Sequence, residues 1–346
     1  MTSEWRDTLR KDGRLMTPMT ASIVIGTGHN PWENLALEEY WMRSQPTENV
    51  IFYLWQNQHT IVIGRNQNPW KEVSMAVFEA EDGKLARRLS GGGAVYHDLG
   101  NLNFSFIADK THYDLEKQFS VIQQTLQSFG LEVQKSGRND LLLEDRKFSG
   151  NAYYYLGKKA LHHGTILVHA DLERAARYLS PSKEKLKAKG VASVRSRIIN
   201  LQEKKPGLTV EALIPKLREV FLRVYAPTSV SEAELKIDKE ILREMTRRHA
   251  SNLWRYGNSP DFEYTRTKRF DWGEVELCFH VSEGALLRTR VFSDSLYPDF
   301  IDRVEAALTD IPFKVPHIVD AIDQLNEPNT ASMKSDLSGW VKTLDL

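Results

Sequence analysis

The chain has a single cysteine, Cys278, in 346 residues, which excludes a disulfide framework and a cysteine metal cluster. That scarcity fits a reducing compartment and points to the cytoplasm. Long apolar runs are missing as well. No stretch approaches the roughly 18 to 20 residues that span a bilayer, so no membrane role is expected. Neither sign of charge is in excess, with 46 Lys and Arg against 46 Asp and Glu. No global field pulls such a chain toward nucleic acid. Residues 1–20 have no apolar segment of the secretory kind and read as an N-terminal extension, with Met16 and Met19 as alternative starts.

What the chain does have is three consecutive glycines set tightly between charged and strand-forming residues, Arg87-Arg88-Leu89-Ser90-Gly91-Gly92-Gly93-Ala94-Val95-Tyr96-His97-Asp98. Glycines stop regular structure and let backbone N–H groups approach a ligand that a Cβ would hold off. Such a nest attracts anions, and two arginines just before it add charge and forked donors. A plain hairpin turn is the competing reading. The run matches neither the P-loop pattern nor the dinucleotide fingerprint, since no helix is expected after it.

The pattern along the chain predicts a first strand at Ile23–Ile25, then a helix opened by Asn30 as cap and Pro31 at its first position. Strands follow at Val50–Trp55 and Thr60–Ile63. Leu102–Phe106 alternates as a half-buried strand does. Asp114–Phe129 reads as a helix stopped by Gly130. Strands return at Asp140–Leu143, Arg146–Tyr155 and Leu161–Val168. Helices are expected at Thr209–Val224, despite Pro215, and at Ser231–Ala250. Two or three strands and then helices from Pro298 onward form a last block. The expected organisation is an extension (1–20), a catalytic domain (21–254), a linker (255–262) and a small α+β domain (263–346). Hairpin-like strand clustering argues for a mixed, largely antiparallel α+β fold over a doubly wound sheet.

Three further segments carry chemistry. Lys147 lies within a strand beside Ser149 and Gly150, where a long cation is not obviously there for solubility and can hold a carboxylate and a phosphate together; a side chain pointing to solvent is the plainer reading. Asn139 and Asp140 offer hard oxygens to Mg²⁺, or simply form a turn. His162 and His163 are adjacent, and adjacent strand residues face opposite sides, so one metal cannot easily take both. Ser193, Val194 and Arg195 sit in a basic, serine-containing loop able to close on phosphate; a solvated linker is the plainer reading.

Taken together, these segments closely resemble the lipoate–protein ligase family, of the lipoate–protein ligase A type with a C-terminal accessory domain. The resemblance rests on Arg87-Arg88-x-Ser90-Gly91-Gly92-Gly93-Ala94-Val95-x-His97-Asp98-x-Gly100-Asn101, Gly137-Arg138-Asn139-Asp140-Leu141, Arg146-Lys147-x-Ser149-Gly150, His162-His163-Gly164-Thr165 and Ser193-Val194-Arg195-Ser196-Arg197. It extends through Asn34-Leu35-Ala36 and Gly64-Arg65-x-Gln67-Asn68 to Trp272-Gly273. It implies a catalytic domain like those of class II synthetases and biotin ligases. It also implies an ATP-dependent, AMP-forming ligase that makes lipoyl-AMP and pyrophosphate, then passes the lipoyl group to a lysine.

By resemblance, Arg88, Gly93, Ala94, Val95 and Tyr96 bind ATP, and Ser193, Val194 and Arg195 cover the adenylate. Lys147 is the catalytic residue and bridges lipoate carboxyl and α-phosphate, while Ser90, His97 and His163 meet lipoate. Asp140 would hold Mg²⁺, and Leu35, Val95 and Phe104 would help form an apolar tunnel. Implied partners are apo-lipoyl domains of 2-oxoacid dehydrogenase E2 subunits and the glycine cleavage H protein, met by a monomer. An octanoyltransferase on the same scaffold would work through an acyl-cysteine, and Cys278 stands outside every motif. A non-catalytic lipoate- or nucleotide-binding protein is the remaining alternative.

Overall fold

The computed structural model describes residues 19–137, 139–179, 198–231, 235, 237–256, 264–282, 285–326 and 329–344. Along the chain run β1 (Thr20–Ile25), α1 (Pro31–Ser44), β2 (Asn49–Trp55), β3 (Thr60–Ile63), α2 (Pro69–Glu72), α3 (Met75–Ala80), β4 (Lys84–Arg87), β5 (Val95–His97), β6 (Asn101–Asp109) and α4 (Leu115–Gln127). Next come β7 (Val133–Ser136), β8 (Asp140–Leu143), β9 (Arg146–Leu156), β10 (Lys159–Leu167), α5 (Leu172–Tyr178), α6 (Val210–Tyr225), β11 (Ser229–Ser231), α7 (Lys239–Ala250) and α8 (Asn252–Tyr256). The last block holds β12 (Tyr264–Phe270), β13 (Gly273–Ser282), β14 (Ala285–Ser293), α9 (Pro298–Ala307), β15 (Ile311–Pro312), α10 (Val315–Asp323) and α11 (Ala331–Val341).

Eight strands form the main sheet in the order β11-β1-β2-β6-β10-β9-β8-β7. β1 runs parallel to β2 and β11, and every other neighbour in that sheet is antiparallel. The fold is therefore mixed α+β with a largely antiparallel sheet. A smaller sheet, β4-β3-β5, carries the glycine run between its outer strands. Strand alternation divides the main sheet into two faces. Phe52, Phe104 and Phe106 point to one, where they pack with Phe119 of α4 and Phe221 of α6. Phe52 stacks on Phe106 with ring centroids 4.6 Å apart. The other face meets α1, through Trp41 against Tyr53 at 5.0 Å.

Local signals set many boundaries. Asn30 caps α1 by accepting from Trp32 N–H, and Pro31 opens the helix. Asp114 caps α4 through Lys117 N–H. α6 runs through Pro215 and ends at Ala226 in the left-handed conformation. Two expectations are corrected. Ser231–Ala250 is not one helix: Ser229–Ser231 pairs with β1 at the sheet edge, and α7 starts only where Asp238 accepts from Glu240 and Ile241 N–H. β6 is not half-buried, because helices cover both faces of its sheet and all nine of its residues are buried. Its polar alternation marks a polar interior instead of a wet surface.

In the last block, α9, α10 and α11 cover β12-β13-β14-β15 around Leu277, Phe279, Phe300 and Trp340. Arg255 and Tyr256, expected in the linker, close α8; residues 257–263 lie outside the described set. This block docks onto the 64–67 turn and the glycine run. Arg65 Nη2 is 2.6 Å from Asp302 Oδ2, Ser293 N–H donates to Asn66 O at 2.7 Å, and Gly92 N–H donates to Ser295 O at 3.1 Å.

Candidate active site

An open cavity of about 140 Å³ lies where the glycine run approaches the α1 face of the sheet. Ladder register explains its walls. Trp55, Asn103 and Thr165 stand opposite one another on β2, β6 and β10, and Tyr53, Ser105, His163 and Ala152 form the next row. Partners in register share a face, so Trp55, Asn103, Thr165, His163 and Ala152 all line the cavity. Leu35 of α1, Val62 of β3 and Val95 of β5 add apolar surface. Phe104, between Asn103 and Ser105, points to the opposite face and lines no tunnel.

Arg88, Gly93, Ala94, Val95, His97, Lys147 and His163 all border this one cavity. Segments up to seventy-five residues apart in the chain, from Arg88 to His163, thus converge. Ser90 is fully buried just behind the wall. Tyr96 turns away, packing with Ile61, Phe78 and Tyr178, its hydroxyl 3.1 Å from His59 Nδ1. Contact from Tyr96 to a ligand would come from its backbone. Asn139 borders the cavity, and the Asp140 carboxylate is 2.7 Å from Lys147 Nζ. Ser193, Val194 and Arg195 lie outside the described residues.

The two arginines divide their work. Arg87 faces away from the cavity and donates to the carbonyls of Gly64, Arg65, Gln67, Trp254 and Arg255. It therefore adds no charge to the site. Burial, reinforced by the charge of Arg290, pulls its guanidinium down to about 9. Arg88 donates to the carbonyls of Val62, Gly91 and Gly93 and to Ser90 Oγ. Burial lowers it to about 10, against the opposing influence of Glu38. It stiffens the glycine run so that loop carbonyls point inward.

A buried relay supports the wall. His163 Nε2 is 2.6 Å from Ser90 Oγ, and its Nδ1 is 2.9 Å from Glu38 Oε1. Glu38 also accepts from Ser105 Oγ at 2.5 Å, and Ser105 accepts from Trp55 Nε1 at 2.9 Å. One carboxylate thus positions two side chains of the cavity. His162 points to the opposite face, against Gln118 and Asn151, where burial holds it well below its ordinary pKa. The strand period separates the two histidines as expected. Glu38, Trp55 and Asn103 escaped sequence reasoning. The pair Glu38-Glu39, set between the apolar runs Leu35-Ala36-Leu37 and Tyr40-Trp41-Met42 of α1, was the one available signal for the first of them.

Residues 30–222 match the family model for the lipoyl protein ligase A/B catalytic domain. Residues 259–340 match that for the bacterial lipoate protein ligase C-terminus. Among solved structures, P. falciparum LipL1 in complex with lipoate is similar, with a TM-score of 0.78 at 29% identity, covering 94% of this chain and 99% of that one. The bi-partite lipoate protein ligase of Thermoplasma acidophilum, analysed with its E2 lipoyl domain, gives 0.61 at 24%, covering 72% and 100%. A lipoate-protein ligase A bound with ATP gives 0.58 at 24%, covering 70% and 99%. At that identity the last two speak for the fold alone.

Proposed function

We propose, from the premise that this chain belongs to the lipoate–protein ligase family, that it activates lipoate with ATP and transfers the lipoyl group to an acceptor lysine. In the first half-reaction a lipoate carboxylate oxygen attacks the α-phosphorus. A P–O bond forms, the α–β bridging P–O bond breaks, and pyrophosphate leaves. In the second, the deprotonated amine of the acceptor lysine attacks the acyl carbon and AMP leaves. The acceptor would be an apo-lipoyl domain, of the kind carried by 2-oxoacid dehydrogenase E2 subunits and the glycine cleavage H protein. The protein would act as a cytoplasmic monomer, with 21–254 catalytic and 263–346 accessory.

The observation that carries this reading is the placement of Lys147 and the Arg88-braced glycine run on the walls of one cavity. Two anions must meet in line there, and positioning with charge neutralisation dominates displacement at phosphorus. Lys147 would bridge the carboxylate and the α-phosphate. The amides at Gly93 to Tyr96 would hold the nucleotide, and Ser193 to Arg195 would cover the adenylate. Ser90 and His163 would shape the acyl end. Mg²⁺ commonly takes one or two carboxylates beside substrate phosphates, and Asp140, next to Asn139 of the cavity wall, has the hard oxygens for it. The ion would neutralise the departing pyrophosphate. An acyl-cysteine route gains no support, since Cys278 is buried in β13 of the last block.

The test is to incubate the protein with ATP, Mg²⁺ and lipoate, with and without an apo-lipoyl domain, and weigh the products. Lipoyl-AMP alone, then a lipoylated domain plus AMP, is expected. ATP-independent acyl transfer would reject the reading.

A further inference from the structure

His97 lines the cavity, yet the buried Nε2 of its ring meets no hydrogen-bond partner among the described residues. The chain of bonds behind it fixes which nitrogen carries the proton. Asn34 Nδ2 points at two backbone carbonyls, Gln56 O at 3.0 Å and Gly28 O at 3.4 Å, which can only accept. Its Oδ1 accepts from Tyr53 OH at 2.9 Å. With Asn34 so oriented, its Nδ2 also donates to Asn57 Oδ1 at 2.9 Å. Asn57 must then present its own Nδ2 to His97 Nδ1, 3.2 Å away. Nδ1 accepts, so the proton of the neutral ring sits on Nε2. Burial, with the charges of Arg88 and His163, holds the ring down to about 3 and keeps it neutral.

The donor stands at the apolar end of the cavity. Leu35, Trp55, Val62 and His97 are each at most 3% exposed, whereas Lys147 across the cavity is about a third exposed. The His97 ring lies edge-on to Trp55, centroids 6.3 Å apart. A ligand with its carboxylate at Lys147 would send its hydrocarbon tail toward this end.

We propose that His97 is a specificity-determining residue whose Nε2–H selects an acyl tail bearing a soft hydrogen-bond acceptor, such as a ring sulfur, over a plain alkyl chain. This inference rests on the ligase reading above. An alkyl tail covers the donor and offers nothing in return, and a buried donor left unpaired is costly. A dithiolane of similar bulk brings sulfur to the same place. With Nδ1 engaged by Asn57 and the proton on Nε2, the neutral ring keeps no free lone pair, so His97 is not the base that deprotonates the acceptor lysine.

The test compares kcat/KM for acyl-AMP formation from lipoate and from octanoate, with ATP and Mg²⁺, in the wild type, His97→Leu and His97→Gln. His97→Leu should lower the value for lipoate about tenfold more than the value for octanoate. His97→Gln, which keeps an acceptor for Asn57 and an N–H for the cavity, should restore the preference for lipoate. Equal loss on both acids, or no loss on lipoate, overturns the proposal while leaving the ligase reading intact. A wild type that adenylates neither acid overturns both. Independently of any variant, ¹⁵N shifts of the His97 ring should report the Nε2–H tautomer, and an Nδ1–H ring overturns the proposal.

Discussion

Glu38 of α1 and His163 of β10 are joined side chain to side chain at 2.9 Å across 125 residues of sequence, both buried. Glu38 thus holds the ring at Nδ1, while Nε2 meets Ser90 Oγ at 2.6 Å on its other side. Through Ser90 the relay reaches Arg88, and through Arg88 the glycine run. Glu38→Gln keeps the shape but removes the charge and presents an N–H as well as an oxygen to the ring. It should cost about 1–3 kcal/mol of stability, read as a lowered Tm, and raise KM for lipoate more than KM for ATP. Unchanged Tm and KM would contradict the relay.

Lys147 is about a third exposed and pairs only with Asp140 among the described contacts. Exposed ion pairs contribute little to stability, about 0–1 kcal/mol. Lys147→Ala should therefore melt close to the wild type while losing lipoyl-AMP formation, measured by mass spectrometry or pyrophosphate release. Substantial adenylate from that variant would remove Lys147 from its proposed role.

Acid should destabilise the protein in two stages. His97 is held down to about 3 by burial, aided by Arg88 and His163, and His162 is shifted the same way. The unfolded chain, titrating near 6.5, takes up protons that the fold refuses. Stability is full above that pH and falls below it, by up to about 1.4 kcal/mol per unit for each ring. Glu39 acts lower. Burial alone would raise it, but the His249 hydrogen bond and Arg248 hold it to about 2. Its contribution is present above 4.5 and lost as pH falls toward 2. Thermal melts from pH 8 to 4 should show a decline that starts near 6.5; a flat profile to pH 5 would refute it.

A Cβ on Gly91 would lie 1.9 Å from Ser295 O, a backbone atom of the last block. Gly91→Ala must therefore push that block away from the glycine run, breaking the Gly92–Ser295 bond, at a cost of about 1–3 kcal/mol. Small-angle scattering should show a larger radius of gyration than for the wild type. An identical scattering curve would mean that the docking is softer than the backbone geometry implies.

Much of the fold was legible because local chemistry spelled it out. Asn30 and Asp114 announced their helices as caps, and strand periodicity separated His162 from His163. The helix expected over Ser231–Ala250 began too early, because the sheet edge beside β1 claims Ser231 and Asp238 does the capping. Alternation in β6 was seen correctly but taken for a wet face; only the helices packed on both sides reveal that Asn103 and Ser105 face an interior. Arg87 and Arg88 look equivalent in the sequence, yet strand alternation sends one to the α8 carbonyls and the other to the cavity.

By itself, the sequence determined the class of site: glycines permit close backbone approach, and a cation within a strand beside small residues implies an anionic ligand. Those properties belong to residue types and short spacings. Tertiary structure decided what each group is free to do. It spends Arg87 on carbonyls, buries Glu38 behind His163, and pins the His97 proton through Asn34 and Asn57. Hydrogen-bond partners and burial are set by strand register and packing over more than a hundred residues, which no local pattern encodes.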